Sequence, residues 1–367
     1  RQRQMCIRDR DNYHLSPAAI QYAGSIFRDS GVQQEESSMV TINDVAKLAG
    51  VSRGTVSNVI NHVKVRPEYQ EKVEQAIKDL GYVPNAYARS LKSNRTHTVA
   101  LILPTVWFPF FSKLTNDMEQ ELRRRGYKLL LCNSQNDYHL ELEYVSMAKE
   151  NKVDGILSIT YSDIAPYVAD ANIPMVAIER YFNAHIPFVS TDNFQGGVMA
   201  AQKLLELGCR RLAFIGRLSD KNGVTKLRRD GFVSYCQEND IPFIELYSES
   251  DSQEFILEID RFVEQEFKNN TPWDGVFTAA DRYAEYMIDS LRSHSCPAVP
   301  GHTLQIIGFD GTKSHANDRI RISSMRQPVE DIAAYAVDTL CRQIAGEEVE
   351  YYKLFPVTFI QGKTTRI

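Results

Sequence analysis

Arg53 and Asn58 stand in the run Ser52 to Asn61, SRGTVSNVIN. A guanidinium pairs bidentately with the major-groove edge of guanine, and a carboxamide does the same with adenine. Around them, Ser52, Thr55, Lys47 and Lys64 are the residue types that hold phosphates and set a register on duplex DNA. Gly54 costs helix stability, about 1 kcal/mol against alanine, and would let a backbone approach bases closely. A second group lies far along the chain. Asp192 in VSTDN, Arg228 in TKLRRDGF and Asp281 in TAAD are carboxylates and a guanidinium near the ends of apolar runs. Converging, they would bind the hydroxyls of a polyol; singly, each could be a helix cap or a surface ion pair. Trp107, Phe108, Phe110 and Phe111 in PTVWFPFF (104–111) could stack on the C–H face of a sugar or simply pack a lobe.

Both groups need elements to position them. Thr41 caps a helix with Asp44 as a weak capping-box acid, and Val45, Ala46, Leu48 and Ala49 form its apolar side. Gly50 ends it. Ser52 caps the next helix, where Val56, Val59 and Ile60 face inward and Arg53, Gly54, Ser57 and Asn58 outward. A third helix opens at Pro67 and stops at Gly81. Three helices in this order are a helix-turn-helix unit, whose second helix enters the major groove. YVPNAYARSLKSNRT (82–96) reads as a plain linker, or as a short helix too weak to stand alone, with a leucine able to wedge into a minor groove.

From Val99 onward the pattern changes. VALIL (99–103), KLLLC (128–132), VDGILSI (153–159), PMVAI (174–178), RLAFIG (211–216), DGVFTA (274–279) and LQIIGF (304–309) read as buried parallel strands. Amphipathic helices such as Phe110–Arg125, Asn193–Leu207 and Val329–Ala345 alternate with them. This predicts a doubly wound α/β body in two lobes, with a ligand held beyond the carboxyl ends of the strands.

TINDVAKLAGVSRGTVSNVIN, RPEYQEKVEQAIKDLGYVPNAYARSL and the body after them resemble the lactose-repressor/galactose-repressor (LacI/GalR) family, from about Met39 to the end. The resemblance implies a helix-turn-helix head on a periplasmic-binding-protein-like (type I) body. It implies operator contacts at Ile42, Ser52, Arg53, Gly54, Thr55, Ser57, Asn58 and Asn61, and a hinge helix carrying Asn85, Ala88 and an intercalating Leu91. It places Asp192, Arg228 and Asp281 at effector-contact positions, while GFDG (308–311) and SMRQP (324–328) match family landmarks and add Asp310 and Gln327. Many members carry a larger or polar residue where Gly54 stands and an arginine where Asn58 stands, so the preferred half-site of this chain differs from theirs. The expected organisation is an extension over 1–38, a DNA-binding domain over 39–83, a hinge over 84–97 and an effector and dimerisation domain over 98–367. Within the last, lobe 1 covers about 98–208 and 324–352, and lobe 2 about 209–323 and 353–367.

Charge agrees with this division. The net charge of −5 combines +4 over 39–97 with −9 over 98–367 and zero over the first 38 residues. A basic head on an acidic body suits a polyanionic partner. The expected function is a cytoplasmic, homodimeric repressor of a carbohydrate-use operon. Its expected partners are a pseudo-palindromic double-stranded operator and a small, sugar-like effector, with no membrane, cofactor or metal. A purine- or nucleoside-responsive regulator is the alternative, and a sugar-binding receptor a more distant one, since it would need an export signal and no helix-turn-helix. There is no G-x-G-x-x-G, P-loop or plausible Ser/His/Asp constellation, which argues against an enzyme. The six cysteines form no C-x-x-C pair and read as reduced, mostly buried thiols. RQRQMCIRDR and QQEESSM suggest that residues 1–38 are untranslated read-through ahead of a start at Met39, with a genuine disordered basic arm as the alternative.

Overall fold

The computed structural model describes residues 40–83, 95–183, 185–218, 223–268, 273–313, 315 and 317–366. The extension over 1–38 and the hinge residues Asn85, Ala88 and Leu91 lie outside the described residues. The chain forms two units, a head and a body.

In the head, α1 (Ile42–Ala49), α2 (Arg53–Ile60) and α3 (Pro67–Leu80) close over Val45, Ala46, Ala49, Val56, Val59, Val73 and Ala76. The α1 cap is made from the acid side. Thr41 donates to the Asp44 carboxylate from its N–H at 2.9 Å and its hydroxyl at 2.7 Å, which holds that carboxyl below its usual range. Gly50 supplies the left-handed turn residue at φ 66°. Ser52 Oγ then accepts the Thr55 N–H at 3.1 Å and starts α2. Leu48 is exposed, contrary to its sequence assignment. At 100° per residue it lies roughly 100° away from the stripe of Val45, Ala46 and Ala49.

Gly54 has no steric need to be glycine. An added Cβ would meet only Ser52 Oγ, at 3.6 Å. Gly54→Ala is therefore expected to raise the stability of the head by about 0.5–1 kcal/mol in thermal unfolding. A lower melting temperature would show that the glycine serves folding itself.

The body has two six-stranded sheets. The first runs β11 (Tyr352–Phe355), β5 (Phe188–Thr191), β4 (Met175–Ile178), β3 (Gly155–Ser158), β1 (Thr98–Leu103) and β2 (Lys128–Asn133), all parallel. The second runs β12 (Thr358–Ile360), β10 (Ser323–Arg326), β9 (Gln305–Asp310), β8 (Gly275–Thr278), β6 (Leu212–Arg217) and β7 (Phe243–Ser248), parallel except for β12. Helices cover both: α4 (Pro109–Arg124), α5 (Tyr138–Glu150), α6 (Ala165–Ala171) and α11 (Val329–Ala345) on the first lobe, and α7 (Asn193–Glu206), α8 (Val224–Glu238), α9 (Ser252–Phe267) and α10 (Asp281–Ser293) on the second. The strands are nearly continuous apolar runs because both faces of each sheet are covered.

The chain crosses between the lobes three times, and each crossing differs from the boundary expected from sequence. α7 packs Ala200, Ala201 and Leu204 into the second core, so the first crossing falls at Asp192, not near 208. β10 belongs to the second sheet, which puts the next at Gln327–Pro328. β11 belongs to the first, so the last falls at Pro356–Val357. Periodicity shows that a helix has a face to bury. It does not show which of two sheets buries it.

α7 and α8 meet backbone to backbone. A Cβ on Gly197 would stand 2.0 Å from the Arg228 carbonyl oxygen, and one on Gly231 2.0 Å from that of Phe194. This crossing fixes where Arg228 sits. Cys132, Cys209 and Cys236 are buried thiols pushed up by burial to about 11, 12 and 12. Among the described residues, no helix is long and apolar enough to cross a membrane.

Candidate effector cleft and operator-reading helix

On α2, Arg53, Gly54, Asn58 and the C-capping Asn61 are exposed, while Thr55 and Ser57 are half-buried. Ser52 and Thr55 share a hydroxyl contact at 2.9 Å. Asn61 Nδ2 donates to the Ser57 carbonyl at 2.7 Å, tying down the end of the helix. Ile42 is half-buried against the head core. The exposed face thus offers a guanidinium and a carboxamide on a helix whose start is fixed by a cap. That is the hardware for reading base edges, with hydroxyls beside it for the backbone.

In the body, a cavity of about 500 Å³ opens between the carboxyl ends of the two sheets. Sites for small ligands commonly have this size and place. Phe108, Phe110, Arg228, Asp281, Asp310 and Gln327 line it, as does Phe111. Two sequence candidates do not. Trp107 is 86% exposed, because the 104–108 turn sends it outward and brings Phe108 in. Asp192 caps α7 and accepts the Gln195 N–H at 3.0 Å. Its neighbour Asn193 carries the inward role.

Arg228 organises the floor. It is 5% exposed, and its guanidinium carbon lies 3.7 Å from the centre of the buried Phe309 ring. Its Nε donates to Asn193 Oδ1 and its Nη1 to the Ala279 carbonyl, both at 2.7 Å. Asp310 of the second lobe is 3.6 Å away and Glu179 of the first 3.9 Å. Gln327, on a crossing strand, links the lobes. Its Nε2 donates to Asp310 at 2.8 Å, and its Oε1 accepts the Thr191 hydroxyl at 2.6 Å. Glu179 accepts from Ser190, from the Thr191 N–H and from Asn193. Asp281 accepts from Ser324 at 2.7 Å and from the Gly311 N–H at 2.8 Å. Gly308 leaves room for that carboxylate, since a Cβ there would lie 2.1 Å from it.

Glu179, Tyr161 and Arg282 also line the cavity and were missed in the sequence. Glu179 directly follows the run PMVAI, so the strand-end rule that found Asp310 would have found it too. Glu179 and Asp310 have φ of 61° and 115°. Such values are uncommon for non-glycine residues, and an observed outlier in a cleft points to function. The network can do one thing well: a ligand that changes contacts at Glu179, Arg228 or Asp310 acts on both lobes.

Burial pushes the Asp310 carboxyl up to about 6, against the pull of Arg228 and Gln327. Burial, and then the charge of Asp310, raise Asp281 well above the ordinary carboxylate range. A raised native value means the folded protein binds more protons than the unfolded chain between about pH 4 and 6. The Asp310 contribution therefore weakens stability as pH rises through that window. Urea midpoints of the protein and of Asp310→Asn, followed from pH 4 to 7, should show the difference between them shifting against the native protein as pH rises. A constant or opposite difference would contradict the assignment.

A helix-turn-helix head joined to a two-sheet body with a cleft is the build of a ligand-responsive DNA-binding regulator. Residues 41–85 match the bacterial regulatory proteins of the lacI family. Residues 96–258 match the periplasmic binding proteins and sugar binding domain of the LacI family, and 201–365 a periplasmic binding protein-like domain. The sucrose operon repressor of Streptococcus mutans is 36% identical over 324 residues, spanning 88% of this chain and 98% of that protein. The ribose operon repressor of Halalkalibacterium halodurans is 32% identical over 335 residues, spanning 89% and 98%. A crystal structure of a periplasmic binding protein/LacI transcriptional regulator from Alkaliphilus metalliredigens, complexed with D-xylulofuranose, is 28% identical with a TM-score of 0.64, covering 73% of this chain and 99% of that one. The chain belongs to the LacI family of bacterial transcriptional regulators.

Proposed function

We propose that this protein represses a carbohydrate-use operon, acting in the cytoplasm as a homodimer on a pseudo-palindromic operator. A sugar-like effector in the cleft controls it, and it is not an enzyme. One observation carries the reading: a capped helix with an exposed Arg53 and Asn58 shares a chain with an interlobe cleft whose floor joins both lobes through Arg228. The relatives named as sucrose and ribose operon repressors support the carbohydrate class. Control is differential affinity. An effector that prefers one lobe arrangement shifts the population, and the shift alters operator affinity by the same coupling free energy. On the head, Arg53 and Asn58 read bases, Ser52, Gly54, Thr55, Ser57 and Asn61 fit the backbone, and Ile42 anchors the first helix. Asn85, Ala88 and Leu91 complete the operator contact.

A thermal-shift screen against sugars, sugar phosphates, nucleosides and purines tests this. A ligand at 100 times its dissociation constant adds about 2.7 kcal/mol of stability. A hit among sugars or their phosphates is expected. A hit confined to purines or nucleosides would overturn the carbohydrate assignment, and no hit at all would overturn a small-molecule effector of either kind.

A further inference from the structure

The two walls of the cleft differ in kind. The first lobe contributes Phe108, Phe110, Phe111, Ile159 and Tyr161, with Glu179 as its only charge among the described residues. The second contributes Arg217, Arg282, Arg319 and Arg321 above the Arg228 floor, together with the carboxylates Asp281, Glu285, Asp310 and Asp318. None of these four guanidinium groups makes a direct ion pair among the described residues, although the charge of Arg282 acts on Asp310 and that of Arg217 on Asp251. The contrast with nearby arginines is direct: Arg229 is clamped to Glu245 by two bonds of 2.6 Å, and Arg228 lies between Asp310 and Glu179. Four unpaired cations around one cavity repel each other, and an arriving anion relieves that repulsion.

Two of the four are prepared for a ligand. Arg282 lies 4.0 Å from the centre of the Phe108 ring and 4.8 Å from that of Tyr283, and its Nη2 donates to the Tyr283 hydroxyl at 2.9 Å. Its guanidinium is already ordered, so binding costs it little entropy. Arg217 Nε is buried with no hydrogen-bond partner among the described residues, while its Nη1 makes only a 3.4 Å bond to the Ser250 carbonyl. A donor in that state is completed by an acceptor from a ligand. Phosphate oxygens match guanidinium groups in charge and in bidentate geometry.

We infer that the effector of this chain is a sugar phosphate, its ring against the aromatic wall of the first lobe and its phosphate among the arginines of the second. The inference rests on the reading of the cleft as a sugar-effector site. The acids of the floor do not oppose it: burial raises Asp281 well above the ordinary carboxylate range, Asp310 lies beside Arg228 and accepts from Gln327, and Glu179 is engaged by Ser190, Thr191 and Asn193. They are left to take hydroxyls.

Calorimetric titration of the full chain with sugar and phosphate pairs tests it: sucrose with sucrose 6-phosphate, glucose with glucose 6-phosphate, fructose with fructose 1-phosphate, ribose with ribose 5-phosphate. In the pair that binds, the phosphate form should bind about tenfold or more tightly, the least one charge-assisted contact provides. The double variant Arg319→Gln, Arg321→Gln changes two exposed side chains and should bring that ratio to about threefold or less. A free sugar that binds as tightly as its phosphate would overturn the inference and leave the sugar-regulated repressor standing. A preference for phosphate unchanged in the double variant would overturn the placing of the phosphate at this rim. Failure of every sugar and every phosphate to bind would overturn both readings.

Discussion

Replacing Arg228 with alanine is expected to cost the body about 3 kcal/mol, the lower end of the range for removing one partner of a buried ion pair. Effector response should go with it. The side chain leaves four groups without their partner. Asn193 Oδ1 and the Ala279 carbonyl lose 2.7 Å donors, and Asp310 and Glu179 lose the cation between them. The ion-pair distances of 3.6 and 3.9 Å are long, so the two short bonds to neutral acceptors carry much of the effect. The cavity can admit water to the orphaned groups, which is why the lower end applies. Urea unfolding and calorimetric titration with the effector check both parts. A loss under about 1 kcal/mol with normal effector affinity would remove Arg228 from the centre of the network.

The crossing of α7 and α8 should be the least tolerant place in the body. Gly197→Ala and Gly231→Ala each put a methyl 2.0 Å from a backbone carbonyl oxygen. A carbonyl in a helix cannot turn aside as a side chain can, so the helices must separate by roughly 1 Å or more. Overpacking costs about 1–3 kcal/mol and occasionally more; here the upper end is expected, since a backbone pair is forced apart and Arg228 moves with it. The double variant should cost less than the sum, because one separation relieves both clashes. Full additivity in urea unfolding would mean that the two sites yield independently.

These positions show what sequence could and could not say. Strands such as VALIL and LQIIGF were legible because both faces of each sheet are covered, which leaves runs too apolar for anything but a core. The head was legible because Thr41, Gly50, Ser52, Pro67 and Gly81 each do one local job at a helix end. Long-range partners were not. Nothing in NFQGGVMAAQKLLE says that Gly197 faces the backbone of Arg228 and Gly196 the ring of Phe309. Asp192 and Asn193 are adjacent and both polar, and only the direction in which the chain leaves β5 decides that the first caps a helix and the second meets Arg228. Trp107, Phe108, Phe110 and Phe111 are equal candidates in the sequence, yet Trp107 is exposed while the other three line the cleft. Glu179 was overlooked although it follows a strand as Asp310 ends one.

The central claim is that one chain reads DNA and reports on a small ligand. Its most direct test is selection of duplexes from a randomised pool by the full protein, followed by titration of the best duplex with and without the ligand found by thermal shift. The expected result is a two-fold symmetric site, affinity that falls steeply with salt through counterion release, and a change in operator affinity on ligand binding of about 5- to 150-fold. Selection of no preferred duplex, or an operator affinity that the bound ligand leaves unchanged, would contradict it.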